Sequence, residues 1–319
     1  MNQKVYSVLK FGGGITINAS NILYVIKYLL DRLKGHPERP IVAVFSAFGK
    51  TTNDLSAIFE LKKQNRIEAY NNGLNMMLET FTKYINDVFA HETSSFRQSI
   101  IDEFSEGPFK EFVDALRKID AGTNMNAQEL DSILVFGEYF SVWIVNQAIR
   151  KCIYTLDFSA KPSVGAVYGH QAIITNEVFG NADILEVQDI RSLCLNDLTL
   201  ITGYTGCTQE GVSTTLGREG SDYTAIFVAI QLGAIIVDIF KNERYILGQN
   251  GEPLFDIFHQ DVLDLLPEAT NPFLHPKGVM YAAEHNFPIR FRHFDVGKYA
   301  EGEPIGTLVR PKQYHQKTE

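Results

Sequence analysis

Apolar positions along the chain alternate between short runs and long helical repeats, and the first hundred residues show both. Residues 5–11 read as a buried strand that carries Lys10 near its end, followed at once by Gly12, Gly13 and Gly14. Asn18 and Ser20 are candidate helix caps. Beyond them Ile22, Val25, Ile26, Leu29, Leu30 and Leu33 recur at alternating steps of three and one, one apolar helix stripe with Gly35 placed as its stop. Residues 40–45 form a second apolar run ending in the polar segment 46–53. Two strands joined by a long helix make a βαβ unit with a right-handed crossover, so Lys10 and the 46–53 loop belong to the same edge of a parallel sheet. Thr51, Thr52 and Asn53 either cap the next helix or touch a ligand there.

From 55 to 119 the spacing is mostly helical, with Leu74, Met77, Leu78 and Phe81 on one face and no convincing strand, and Asp120-Ala121-Gly122-Thr123 ends it. Leu130, Ile133, Leu134, Phe140, Trp143 and Ile144 predict a further helix, interrupted by Gly137-Glu138. A carboxylate in that stretch needs a partner or a wet cavity; the alternative is a solvent-facing residue at a kink. Strands are predicted at 172–175, 198–203, 234–240, 245–247 and 288–293, and helices from Tyr223, at 260–266 and at 280–285. The Tyr223 helix shows a single apolar face of Tyr223, Ile226, Phe227 and Ile230. No repeat interrupts this α/β alternation, and only the tail after Arg310 looks loose.

Composition narrows the function. The 319 residues suffice for one large or two modest domains, and 45% apolar with 21% charged residues is ordinary for a globular chain. A formal charge of −9 argues against broad nucleic-acid or membrane-surface binding, so any phosphate must be held locally. Cys152, Cys194 and Cys207 are scattered and odd in number, and the eight histidines show no ligand spacing, which suggests neither a disulfide framework nor a metal site. The apolar run between Lys4 and Lys10 is too short for a signal peptide, and residues 225–240 are broken by Gln231, Gly233 and Asp238. A reducing, cytoplasmic setting is expected.

Two segments carry candidate chemistry. The first is the strand, glycine turn and helix at 5–35, an architecture in which backbone N–H groups and the helix dipole cradle phosphate. Lys10 precedes the glycines, unlike the lysine of a Walker A loop. The second is Gly217-Arg218-Glu219-Gly220-Ser221-Asp222-Tyr223-Thr224, an arginine among glycines that opens into a helix, with Ser221 and Asp222 where N-cap and first-turn residues belong. Both read as anion sites, the alternatives being a tight βα turn that uses its glycines for packing and a well-capped helix after an ordinary loop.

Lys10-Phe11-Gly12-Gly13 resembles the Lys-Phe-Gly-Gly signature of aspartate kinases, Phe136-Gly137-Glu138 their Phe-Gly-Glu, and residues 214–225 their Thr-Thr-Leu-Gly-Arg-Gly-Gly-Ser-Asp-Tyr-Thr-Ala segment. Weaker echoes lie at Ser46-Ala47 with Thr52-Asn53, at Val237-Asp238, at Leu274-His275-Pro276 and at Gly306-Thr307-Leu308, all in the family's order. The resemblance implies an amino-acid kinase fold: a three-layer αβα sandwich with a mainly parallel central sheet. It also implies transfer of the ATP γ-phosphate to the aspartate side chain. Lys10 would neutralise the transferring phosphoryl group, with Gly12 and Gly13 giving it backbone donors. Arg218 would clamp the substrate α-carboxylate, Glu138 would pair with its ammonium, and Thr52 and Ser221 would hydrogen-bond it. Asp222 would help organise the reacting groups, orienting Lys10 being one way to do so, and Mg²⁺ would be held mainly by the nucleotide. A homodimer is expected, with residues 1–204 (helical insertion 55–150) as the amino-acid lobe, 205–310 as the nucleotide lobe and 311–319 as a tail.

The departures lie mainly on the nucleotide side. Gly14-Ile15 replaces the family's Thr-Ser, Lys241-Asn242 its Thr-Asp, Asn250-Gly251-Glu252 its Asp-Pro-Arg, and Pro272 a lysine. Lys241 or Arg244 would supply the lost cationic contacts to ATP. Glu219 stands where the family has glycine, so a negative charge beside Arg218 is expected to weaken or redirect substrate binding. Other readings are therefore a kinase for a different acidic amino acid, or a domain that binds an amino acid without productive ATP binding. The chain stops soon after Gly306-Thr307-Leu308, where ACT domains begin in feedback-controlled members, so a catalytic domain alone is expected.

Overall fold

The computed structural model describes residues 5–122, 124–268, 273–298 and 300–312; Lys4, Thr123, Pro272 and residues 313–319 lie outside them. Eight strands build the central sheet in the order Asp256–Phe258, Thr307–Arg310, Ile289–His293, Val237–Lys241, Ser7–Phe11, Ile41–Phe45, Leu198–Thr202, Val164–Val167. Every neighbouring pair is parallel except Ile289–His293 with Thr307–Arg310.

Because side chains alternate along a strand, the sheet supplies two separate cores. Leu9, Phe11, Ile41, Ala43 and Phe45 pack beneath the helices of the first half. Val8, Val42, Val44, Val237 and Ile239 pack beneath Ala225, Val228, Ala229 and Leu232 of the Gly220–Leu232 helix. That partition is the three-layer sandwich, and a one-residue slip of any central strand would exchange its two faces. Register is pinned further by Phe11, whose ring stacks on Phe45 at 5.2 Å and on Phe240 at 5.0 Å.

The Ala19–Gly35 helix buries the predicted stripe, and the Asn18 side chain caps it by accepting from the Asn21 N–H at 2.9 Å. Each buried aliphatic side chain contributes about 1.5–3 kcal/mol, enough to carry the helix through Gly35, which ends inside it; His36 is the C-cap. Thr51, Thr52 and Asn53 do not cap the Thr51–Lys63 helix. Lys50 holds the N-cap position, and the Thr51 hydroxyl donates to the Phe48 carbonyl.

Elsewhere the structure corrects the sequence reading where the signal was short or mixed. The helix predicted across 130–144 is two, Ala127–Leu134 and Phe136–Thr155, joined at Val135. By length and composition Ala127–Thr155 could cross a membrane, but 67% of its most apolar window is buried inside the fold. The Gly220–Leu232 helix is buried nearly all round rather than on one face, since it lies between the central sheet and the Pro276–Glu284 helix. Strands at Val164–Val167, Ile184–Val187, Thr205–Cys207, Ser213–Thr215 and Thr307–Arg310 are only three or four residues long, too short for a period-two pattern to stand out. Cys152, Cys194 and Cys207 are all unpaired.

Candidate active site

The Ala19–Gly35 and Gly220–Leu232 helices pack on opposite faces of the sheet, so the chain segments leaving its central strands diverge and open a crevice at their carboxyl ends. The crevice is a cleft of about 770 Å³. Lys10, Gly12, Gly13, Lys241 and Asn242 line it from the strand ends, and Thr52 and Glu138 from the first-half helices. Arg218 and Ser221 close it from the start of the Gly220–Leu232 helix. Of the predicted site residues only Asp222 does not line it; Asp222 is fully buried beneath.

Period-two alternation explains the floor. Lys10 shares a sheet face with Val8, the face covered by the Gly220–Leu232 helix, and so meets that helix's first turn. Its ammonium is 2.7 Å from one oxygen of Asp222, and Lys241 lies 2.9 Å from the other. Lys241 in turn is 2.5 Å from Glu219, giving the sequence Lys10, Asp222, Lys241, Glu219 of alternating charges. Burial works against ionised Asp222, but the two lysines outweigh it and hold the carboxyl below its usual range. Burial lowers the Lys10 ammonium, with Lys241 adding to the effect and Asp222 opposing it. Burial also acts to lower Lys241, yet Asp222 and Glu219 keep it above the ordinary lysine value.

The glycines set how closely the loops approach. A Cβ at Gly13 would stand 2.4 Å from the Ala47 carbonyl oxygen, and the Gly49 N–H donates to the Gly13 carbonyl at 3.2 Å. A Cβ at Gly12 would reach within 3.3 Å of the Lys10 ammonium. Gly137 does the same on the other wall, since a Cβ there would come within 2.9 Å of Ala47 Cβ. That contact lets Glu138 accept from the Ala47 N–H at 3.0 Å and Ser141 from the Phe48 N–H at 2.9 Å. Glu138 is 3% exposed, so it is no solvent-facing kink residue. Its second oxygen has no hydrogen-bond partner among the described residues. Burial pushes its carboxyl up to about 8, against the pull of the Ala47 N–H and Lys10. A buried acceptor of this kind in a cleft wall is suited to an incoming cation.

The opening of the Gly220–Leu232 helix differs from the sequence reading. Glu219 occupies the N-cap position in the left-handed region at φ 61° and makes no side-chain cap, while Ser221 and Asp222 lie inside the first turn. Ser221 is buried, and its neighbour must be Gly203, where a Cβ would fall 2.5 Å from Ser221 Cβ. Arg218 is exposed at the rim.

Two residues went unremarked in the sequence. Tyr204 lines the cleft with φ 63°, its N–H donating to Thr224 Oγ1 at 3.2 Å, and burial raises its phenol pKa. Asp131 is 1% exposed and accepts from the Gly180 N–H, the Thr215 N–H and the Thr215 hydroxyl at 2.8, 2.9 and 2.6 Å. It ties the Ala127–Leu134 helix to Gly180 of the cleft wall. A carboxylate between Leu130 and Ile133 was the available signal, of the same kind as Glu138.

Residues 6–290, which carry the parallel sheet, the glycine turn and the paired lysines at the strand-end cleft, match the amino acid kinase family; the chain belongs to that family. It is similar to chloroplastic aspartokinase 3 of Arabidopsis thaliana, 26% identical over 312 residues, which cover 91% of this chain and 51% of that protein. It is also similar to the aspartokinase of Geobacillus stearothermophilus, 29% identical over 177 residues, or 52% of this chain and 41% of that one. The chain thus spans about half the length of the curated relatives it matches. Among solved structures, E. coli aspartokinase III in complex with aspartate and ADP superposes with a TM-score of 0.73 at 21% identity, over 98% of this chain and 65% of that one.

Proposed function

We propose that the protein transfers the γ-phosphoryl group of ATP to the side-chain carboxylate of L-aspartate, giving 4-phospho-L-aspartate, the first step towards lysine, threonine and methionine. The observation that carries this reading is that Lys10 and Arg218, far apart in sequence, line one cleft with the buried carboxylate of Glu138. Similarity to aspartokinases supports the choice of acceptor.

Arg218 takes the substrate α-carboxylate and Glu138 its ammonium, while Thr52 and Ser221 hydrogen-bond it, leaving the side-chain carboxylate directed at the phosphate. That carboxylate is already ionised at neutral pH, so its oxygen attacks phosphorus without a general base as the bond to ADP breaks. Lys10 neutralises charge on the transferring group, Gly12 and Gly13 offer backbone donors, and Lys241 and Asn242 meet the nucleotide. Asp222 touches no substrate and orients both lysines from below. Mg²⁺ would enter on the nucleotide phosphates and neutralise them. Among the described residues no three His, Cys, Asp or Glu side chains are grouped to hold a metal, and Asp222 already carries two ammonium groups. Residues 1–204 would form the amino-acid side and 205–310 the nucleotide side, in a cytoplasmic homodimer.

The test is incubation with ATP, Mg²⁺ and a panel of acidic amino acids, with hydroxylamine to trap acyl phosphate. Hydroxamate from aspartate is the expected product. Product from another acid alone would move the acceptor, and none from any acid would leave an amino-acid-binding domain.

A further inference from the structure

Lys241 ends the strand beside the one that carries Lys10, and its ammonium sits between two carboxylates of unlike standing. Asp222 is fully buried and shared with Lys10, so it is part of the floor. Glu219 lines the cleft itself, its side chain is 29% exposed, and its backbone holds the left-handed φ of 61° that a residue with a Cβ adopts at a cost. Glycine in its place would avoid that cost, and an uncharged residue at 241 would need no counter-ion. Here both positions are charged, and they meet at 2.5 Å.

Resting on the reading of this cleft as a nucleotide site, we infer that Glu219 is an internal counter-anion standing in for a nucleotide phosphate on Lys241. Phosphate enters by exchanging with the Glu219 carboxylate, and Glu219 thereby sets nucleotide affinity. With Glu219 on Lys241, the two lysines are balanced by two carboxylates, and the floor has no net charge to offer an anion. With Glu219 displaced, two ammonium groups share Asp222 alone, and the net positive charge favours a phosphate, whose anionic oxygens accept charge-assisted hydrogen bonds. The Glu219 side chain lies at the cleft surface and reaches water without any movement of the buried pair.

The test is calorimetric titration of MgADP into the wild type and into Glu219→Gln, with Glu219→Gly as a second variant that also accepts the positive φ. Removing one charge-assisted contact that competes with the ligand predicts about tenfold tighter nucleotide binding in both variants. In a Lys241→Met background the same Glu219→Gln change is expected to alter affinity by less than about twofold, because the charge it answers is gone. If wild-type binding is too weak to measure, binding that becomes measurable in the variants supports the exchange, and none in any of them overturns it. Nucleotide affinity unchanged or weakened by Glu219→Gln overturns it as well, and a gain confined to aspartate would place the Glu219 charge on the amino-acid side instead. Hydroxamate formation by the wild type is read separately, so failure of the exchange and failure of the kinase reading are distinguishable.

Discussion

Glu138 is the residue whose surroundings most constrain the chemistry. It is buried, holds one backbone N–H and has a carboxyl pushed up to about 8, so near neutral pH it is largely protonated until a cation arrives. Aspartate affinity is therefore expected to rise with pH, by up to about tenfold per unit below 8, because the ammonium of the ligand needs the ionised form. Glu138→Gln should flatten that profile and bind aspartate more weakly throughout, as read from the KM for aspartate between pH 6 and 8.5. The linkage for folding has the opposite slope. The folded chain keeps a proton that the unfolded chain releases above its ordinary value of 4.5, so this group's contribution to stability falls as pH rises from 4.5 to about 8. Thermal melting of the wild type against Glu138→Gln across that window measures it. At this scale the sequence was informative wherever a charge stood among glycines or apolar neighbours, as for Lys10, Glu138 and Arg218. It could not show who meets whom: the pairing of Glu219 with Lys241 joins residues on a helix start and a strand end that only the fold brings together.

Among elements, the contact between the Phe136–Thr155 helix and the 46–50 loop holds Glu138 in the cleft wall. Gly137 allows it, and the Glu138 and Ser141 bonds to Ala47 and Phe48 depend on it. Gly137→Ala would put a methyl group 2.9 Å from Ala47 Cβ, an overpacking expected to cost about 1–3 kcal/mol in urea unfolding and to weaken aspartate binding more than nucleotide binding. Equal losses for both ligands would contradict this. Long periodic elements were legible: the Ala19–Gly35 helix and the Ile41–Phe45 strand stand nearly where the spacing put them. The Gly220–Leu232 helix was found but misjudged, because a helix covered on every side loses its amphipathic contrast. The hairpin strands Thr205–Cys207 and Ser213–Thr215 were missed, being three residues each and rich in threonine.

For the molecule as a whole, the sheet order explains why the site is where it is. The Ser7–Phe11 strand lies at the centre, flanked by Ile41–Phe45 and Val237–Lys241, and the helices leading into those two neighbours lie on opposite faces. The parallel βαβ start was readable from the first fifty residues, whereas the full eight-strand order depends on pairings between distant segments that no local pattern encodes. The central claim is that one cleft holds donor and acceptor together, with Lys10 serving transfer and Arg218 serving the amino acid. Steady-state kinetics of hydroxamate formation from aspartate by the wild type, Lys10→Ala and Arg218→Ala test it most directly. Lys10→Ala is expected to remove turnover while calorimetry still detects aspartate binding, and Arg218→Ala to raise the KM for aspartate about a hundredfold. Turnover retained in Lys10→Ala, or an aspartate KM unmoved in Arg218→Ala, would contradict the account.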